Sequence, residues 1–213
     1  MLTVCYIDEE ERDIDSFVFA MEPYFNVKDI HVTQDLDIDE LLVRIREEKF
    51  DYLIVDYYLN EYSGAGYRGD QVIIDFLAEF KDFPVMLLTS DDKRAINMSE
   101  GIDVEIIHDK TEYSEDVETF VERATKKIDQ YKTKQVNAEA ELLAIIKKSS
   151  QAQLTAEEEE RRNELDTFLD ESLDGSSKAV TITEKNTSNA EKLTALIDKT
   201  DALIARINSN ERV

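Results

Sequence analysis

Tryptophan is absent from the sequence, and cysteine, proline and glycine are scarce, with one, two and five residues in a chain of 213. The single cysteine, Cys5, cannot form an internal disulfide, and its place in an apolar run indicates a small buried thiol. No stretch approaches the ~20 consecutive apolar residues needed to span a bilayer, and no basic region precedes the first apolar run. We therefore expect a soluble, cytoplasmic protein with no membrane partner.

Basic residues are also in short supply. Lys and Arg number 25 against 49 Asp and Glu, which gives a formal net charge of −24. A charge of this sign opposes binding to the phosphate backbone of nucleic acids. One predicted helix carries six lysines spread along its length, Lys126, Lys127, Lys132, Lys134, Lys147 and Lys148, and no compact helix-turn-helix pattern accompanies them. Nucleic acid is therefore not an expected partner.

The chain divides into two parts of different composition. At roughly 100 to 200 residues per domain, its length allows one full domain and a smaller second unit. Both prolines and every glycine except Gly175 lie early, and the only aromatic residues after Tyr113 are Phe120, Tyr131 and Phe168. We predict a first domain at 1–125 and a helical extension at 126–213.

Short apolar runs alternate with helical patterns in the first domain. Strands are predicted at 2–7, 29–33, 52–55, 84–88 and 104–107, and helices at about 16–21, 37–49, 70–80 and 93–99, with a last helix starting near Ser114. Strands that alternate with helices imply a parallel sheet with right-handed crossovers. The predicted fold class is therefore α/β, a doubly wound five-stranded parallel sheet.

Polar residues follow four of these strands. They are Asp8 and Glu9, Asp56, Thr89, and Lys110. Ligands of open parallel sheets bind beyond the carboxyl ends of the strands, so these side chains are expected to converge there. Three converging carboxylates repel one another unless a divalent cation neutralises them, and oxygen ligands suit Mg²⁺. The hydroxyl and the ammonium could bind the oxygens of an anion.

This order of residues resembles the receiver domain of bacterial two-component response regulators over residues 1–125. The resemblance implies a flavodoxin-like fold in which Asp56 accepts a phosphoryl group from a histidine kinase or phosphotransfer protein, while Thr89 and Lys110 contact its oxygens. It also implies Mg²⁺ held by Glu9, Asp56 and the backbone carbonyl of Tyr58. Asp8 would act mainly through a coordinated water.

What the resemblance implies about activity is limited: a receiver catalyses only its own phosphorylation and dephosphorylation, so no separate enzymatic output is expected.

The sequence departs from the receiver pattern at three places. Thr111 follows Lys110 where proline is usual, Ile107 occupies the position of an aromatic switch residue, and the loop from Asp56 to Gly69 is long and rich in tyrosine.

Each strand-end residue also has an ordinary structural interpretation. An aspartate or threonine at a strand end is often a helix cap or a turn residue, and Lys110 could be a solvated charge. Two further functions therefore stay open. One is a degenerate receiver that serves as a structural or adaptor protein, and the other is a phosphate sink without an output.

Two other motifs carry little weight. Gly64, Gly66 and Gly69 match the dinucleotide-binding fingerprint, but they begin eight residues after Asp56 instead of in a tight strand-to-helix turn. The only histidines, His31 and His108, are too few for a transition-metal cluster.

The extension is predicted to begin as one long helix that continues from the first domain to about residue 148. Apolar residues recur along it at spacings of three and four, interrupted only by Gln135: Val117, Val121, Ala124, Ile128, Tyr131, Ala138, Leu142 and Ile145. This heptad seam is typical of a coiled coil. It predicts a homodimer or, as the alternative, an intramolecular helical bundle.

Two shorter helices are predicted after the long one. Thr155 and Glu158 form a capping box that begins a helix at about 155–173, and a third helix is predicted at about 188–208. The segment 178–183 is ambiguous between a linker and a short strand. Since the extension lacks a DNA-binding pattern, we expect it to act on a downstream protein partner.

Overall fold

The computed structural model of the protein describes residues 1–99 and 101–170. The five strands are β1 (Thr3–Asp8), β2 (Asn26–His31), β3 (Tyr52–Asp56), β4 (Val85–Thr89) and β5 (Ile107–Asp109). The helices are α1 (Glu11–Met21), α2 (Ile38–Glu47), α3 (Gly69–Glu79), α4 (Asp92–Met98), α5 (Glu112–Glu115), α6 (Val117–Ser149) and α7 (Ala156–Asp170). None of the helices in these two ranges is long and apolar enough to cross a bilayer.

The five strands form one parallel sheet in the order β2-β1-β3-β4-β5. In the register of the inner strands, Ile7 lies beside Val55, and Val55 lies beside Leu87. This order is the flavodoxin-like one, in which the chain reverses direction across the sheet between β1 and β3. The predicted fold class is confirmed.

The core lies on both faces of the sheet because alternate residues of a strand point to opposite sides. On one face, strand residues pack against α1 and the first half of α6; the cluster includes Tyr6, Ile54, Met86, Phe17, Met21, Phe120, Ala124 and Ile128. The inner strands β3 and β4 are buried along their whole length. The polar residues that end these strands are therefore anchored in rigid surroundings.

Three predicted elements had wrong boundaries, and the first of them is β2, which covers Asn26–His31 where 29–33 was predicted. Residues Val104–Ile106 form a 3-10 turn, and the strand begins only at Ile107. The turn forms because the Asp103 side chain accepts a hydrogen bond from the amide of Glu105 at 3.0 Å. Helix α1 begins at Glu11, earlier than its apolar pattern indicated, and its acidic first turn suits the positive end of the helix dipole.

The long helix predicted for the extension is present as α6, whose 33 residues span about 50 Å at 1.5 Å per residue. It starts at Val117, because Asp116 leaves helical geometry between α5 and α6, with φ of −136°. The chain forms two compact units, and the first of them contains residues 1–135.

The described part of the second unit consists of residues 136–170. Here Arg161 of α7 pairs with Glu141 of α6 at 2.8 Å, and Lys148 pairs with Glu158 at 2.5 Å. The predicted capping box is confirmed, since the Thr155 amide donates to Glu158 and the Glu158 amide donates to Thr155. The predictions for 178–183 and 188–208 lie outside the described residues, as does the end of the helix predicted at 155–173.

Candidate functional site

The candidate site lies where β1 and β3 end side by side in the centre of the sheet. Asp56 is the last residue of β3, Asp8 is the last residue of β1, and Glu9 follows it. Ligand oxygens of these three carboxylates lie within 4.8 Å of one another, and all three residues are buried. The sheet topology therefore brings carboxylates that are far apart in sequence together in one acidic cluster.

Burial and mutual repulsion change the acidity of this cluster. Burial, reinforced by the nearby charge of Asp56, raises the pKa of Glu9 to about 9. Burial also raises the pKa of Asp56 to about 6, although Lys110 and the Tyr58 amide oppose the increase. The cluster therefore favours either a bound proton or a bound cation over three free negative charges.

Lys110 supplies a positive charge to the cluster from the chain that follows β5. Its Nζ lies 2.8 Å from Asp56 Oδ1 and 2.9 Å from Asp8 Oδ2. Burial by itself lowers the pKa of Lys110, but the charges of Asp56 and Asp8 outweigh it and the net shift is upward. The Lys110 side chain is mostly buried and paired, so Lys110 is not a solvated surface charge.

Asp8 is held by three donors besides its place in the sheet. The Tyr6 hydroxyl and Lys110 Nζ both donate to Oδ2, and the amide of Glu10 donates to Oδ1 at 2.9 Å. Tyr6 is fully buried and stacks on Phe17 with ring centroids 4.1 Å apart. Because its oxygens are already engaged, Asp8 suits an indirect role through water better than direct coordination.

Thr89 ends β4 and is completely buried. Its hydroxyl oxygen accepts a hydrogen bond from the amide of Asp91 at 3.1 Å, and its carbonyl accepts one from the amide of Lys110 at 2.8 Å. Asp91, not Thr89, caps helix α4 with its side chain. The hydroxyl of Thr89 can still donate a hydrogen bond, since its oxygen serves here as an acceptor.

The two tyrosines after Asp56 line the beginning of the long loop. The amide of Tyr58 donates to Asp56 Oδ2 at 2.5 Å. The Tyr58 ring contacts the Tyr57 ring edge to face, with centroids 4.7 Å apart, and the Arg94 guanidinium lies 5.5 Å from the centre of the Tyr58 ring. Tyr58 is thus fixed beside Asp56 from two sides.

The donor set fits a divalent cation. Glu9 Oε2 is buried and has no hydrogen-bond partner in the described part of the chain, as expected of an oxygen that awaits a ligand. Hard oxygen donors with a net negative charge suit Mg²⁺. The carbonyl of Tyr58 accepts from the amide of Glu61 at 2.8 Å, which leaves its second lone pair for a metal. Its role as a ligand stays a prediction.

Sequence reasoning missed two members of the site. Asp13 lies on α1, and its Oδ2 is 2.9 Å from Lys110 Nζ. The predicted start of α1 was too late to include it. Tyr6 could have been found, because it lies two residues before Asp8 on the same strand and therefore on the same face.

Neither histidine side chain belongs to the acidic cluster. His31 Nε2 contacts the carbonyl oxygen of Glu9 at 2.9 Å, whereas His108 contacts the side chains of Glu112 and Arg123. Neither joins a group of potential metal-binding side chains among the described residues.

Several solved structures resemble this chain. The signal receiver domain of an HD domain-containing protein from Pseudomonas fluorescens is 12% identical, with 62% of this chain and 92% of that chain covered and a TM-score of 0.49. The receiver domain of a Francisella response regulator is 12% identical, with 61% and 98% covered and a TM-score of 0.43. A response regulator receiver domain protein from Methanospirillum hungatei is 12% identical, with 60% and 98% covered and a TM-score of 0.41.

No protein-family model matches the sequence, and no curated protein matches it either. The fold is nevertheless the flavodoxin-like one that the resemblance implied, because the chain has the five parallel strands, their order and the flanking helices. The resemblance inferred from the sequence is confirmed at the level of the fold.

Proposed function

We propose that this protein is a phosphorelay receiver that accepts a phosphoryl group on Asp56 from the phosphohistidine of a histidine kinase or phosphotransfer protein. The observation that carries the proposal is the Lys110 ammonium 2.8 Å from Asp56 Oδ1, beside a buried cluster of three carboxylates. Phosphoryl transfer depends on positioning and on neutralising charge, and this arrangement supplies both.

In the proposed step, an Asp56 carboxylate oxygen forms a bond to phosphorus while the phosphorus–nitrogen bond of the donor breaks. The electron pair of that bond returns to the imidazole nitrogen of the donor. Lys110 and the Thr89 hydroxyl then donate to phosphoryl oxygens. Attack of water on phosphorus ends the phosphorylated state, because it releases inorganic phosphate and restores the Asp56 carboxylate.

Mg²⁺ is the cofactor that the donor set favours. Glu9, Asp56 and the Tyr58 carbonyl would hold it, with Asp8 acting through water. When bound, the ion supplies positive charge that offsets the repulsion between the carboxylates and the incoming phosphoryl group. The unpartnered Glu9 Oε2 supports this assignment.

The helical extension is the proposed output element. Its apolar seam suits a protein partner or a second copy of the chain, and the acidic composition disfavours DNA. We further propose that the protein acts in the cytoplasm, where histidine kinases phosphorylate their receivers. It would catalyse no reaction other than its own phosphorylation and dephosphorylation.

The proposal is tested by incubating the purified chain with Mg²⁺ and acetyl phosphate and measuring its intact mass. We expect the wild type to gain one phosphate and Asp56→Asn to gain none. Asp15→Asn, an exposed carboxylate of α1, is the matched control and should behave as the wild type. Equal mass gain in wild type and Asp56→Asn would remove the assignment, and no gain in the wild type would favour a structural adaptor.

The metal assignment is tested separately by titration of the unphosphorylated protein with Mg²⁺. Glu9→Gln should weaken binding most, since Glu9 offers an oxygen that has no other partner. Asp8→Asn should weaken it less because Asp8 oxygens are already engaged. If the variant that combines Glu9→Gln and Asp8→Asn bound Mg²⁺ with wild-type affinity, the metal site would be contradicted.

A further inference from the structure

The ammonium group of Lys110 has three N–H donors, and three carboxylates surround it. Two of them, Asp8 and Asp56, belong to the acidic cluster at the strand ends. The third is Asp13 on α1, whose Oδ2 lies 2.9 Å from Lys110 Nζ. Asp13 is not a member of the three-carboxylate group, so its contact with Lys110 needs a separate explanation.

We infer that Asp13 is a positioning residue that holds the Lys110 ammonium against Asp56. The inference rests on the proposed function and adds a residue to the same site. Lysine carries its charge on a flexible four-carbon stem, so one carboxylate partner does not fix where the charge lies. Asp8 at the end of β1 and Asp13 in the first turn of α1 hold it from two separate elements.

The arrangement also explains how Lys110 can serve the acceptor before and after transfer. When Asp56 gains a phosphoryl group, the donor that faces Asp56 Oδ1 can turn to a phosphoryl oxygen. The contacts to Asp8 and Asp13 need not change, since neither carboxylate takes part in the new bond. Asp13 therefore keeps the ammonium in place throughout the reaction.

The helix provides a matched control for this contact. Asp15 carries the same charge two residues further along α1, which places it about 200° around the helix axis from Asp13. Asp15 is exposed, whereas Asp13 is partly buried with 22% of its side chain accessible. Replacing Asp15 removes the same charge from the same helix without removing a partner of Lys110.

The first test measures the reactivity of Lys110 in the metal-free protein. Full-length chains are treated with N-hydroxysuccinimidyl acetate, and acetylation of Lys110 is followed by peptide mass spectrometry. We expect Asp13→Asn to be acetylated about threefold faster or more, because the amine loses one of three charged partners. Asp15→Asn should match the wild type, and Asp13→Glu should restore slow acetylation.

The second test measures phosphate incorporation from acetyl phosphate at saturating donor. We expect Asp13→Asn to lower the maximal rate about fivefold. The decrease is small because the variant loses a positioning contact and keeps every catalytic group. The donor concentration at half-maximal rate should change little, Asp15→Asn should have no effect, and Asp13→Glu should recover most of the rate.

Each result decides a different point. Equal acetylation of Lys110 in wild type and Asp13→Asn overturns the inference, whatever happens to phosphate. Faster acetylation with an unchanged rate of incorporation shows a contact without a positioning role and also overturns it. If the wild type takes no phosphate, the proposed function fails, while the acetylation rates still decide whether Asp13 restrains Lys110.

Discussion

The backbone of Gly69 packs directly against the backbone of Asp56: a methyl group on the Gly69 Cα would lie 1.9 Å from the Asp56 carbonyl oxygen. The Gly69 amide also donates to the Tyr57 carbonyl at 3.0 Å. The start of α3 is thus seated on the end of β3, which carries the proposed acceptor. Only glycine allows this approach.

We therefore predict that Gly69→Ala destabilises the protein by about 2 kcal/mol or more, since backbone on both sides prevents relief of the overlap. Gly66→Ala is the control, because a methyl group there meets nothing within 4 Å. Urea denaturation measures both free energies of unfolding. Equal midpoints for the two variants would show that β3 and α3 do not pack as described.

The acidic cluster predicts an unusual dependence of stability on pH in the absence of divalent cations. Glu9 and Asp56 have raised pKa values of about 9 and about 6, so the folded chain binds protons that the unfolded chain releases above its ordinary carboxyl pKa. Their contribution to stability is complete below about pH 4 and is lost as pH rises through 6 and then 9.

Glu9→Gln isolates the upper part of this effect, because a neutral amide resembles the protonated acid. We predict that the variant gains stability relative to wild type between pH 6 and pH 9, by on the order of 1 kcal/mol, since a shift of one pKa unit corresponds to roughly that free energy. Denaturation curves in EDTA measure the difference, with the exposed Glu11→Gln as control. Parallel pH profiles for wild type and Glu9→Gln would be evidence that Glu9 titrates normally.

Tyr58 is predicted to prolong the life of the phosphorylated state. Its amide binds Asp56 and its ring is fixed by Tyr57 and Arg94, so it can hinder water on its way to the phosphorus. Tyr58→Ala should speed loss of phosphate by about two- to tenfold, below the effect of a catalytic group. Tyr58→Phe keeps the ring and should decay slowly, as should Tyr62→Ala, which removes an exposed ring of the same loop.

The decay is followed by intact mass after the donor is removed. An unchanged lifetime in Tyr58→Ala would refute shielding. A faster decay in both Tyr58→Ala and Tyr58→Phe would assign the effect to the hydroxyl, which is buried without a partner among the described residues.

The sequence predicted β1, β3 and β4 well because these strands are buried on both faces and read as apolar runs that end on polar residues. The edge strands β2 and β5 are less buried, and their predicted bounds were wrong. It could not place Asp13, because the helix containing it begins with a polar turn that carries no apolar pattern. It also left Gly69 without a role. The formal nucleotide-binding match that contains this residue was rejected on its context, and the contact of Gly69 with Asp56 across the loop is not revealed by spacing alone.

The last prediction concerns the seam of the long helix in residues 136–170. Helix α7 covers part of it within the chain, where Ala138 and Leu165 are buried. Leu142 and Ile145 of the seam are only half-buried, and Val136 and Leu143, which lie next to the seam on the same helix, are exposed by 62% and 42%. Apolar side chains left accessible along a helix favour a second copy of the chain as cover, so we expect a dimer.

Leu142→Asp should convert this dimer to a monomer, because a carboxylate in the seam loses its water on association. Light scattering after size exclusion, at tens of micromolar protein, measures the mass, and Glu139→Asp on the same helix is the control, being exposed and equally charged before and after substitution. A monomeric mass in the wild type, unchanged by Leu142→Asp, would assign the cover of the seam to the chain's own helices. In that case the intramolecular bundle, and not the coiled coil, would be the surface that a downstream protein meets.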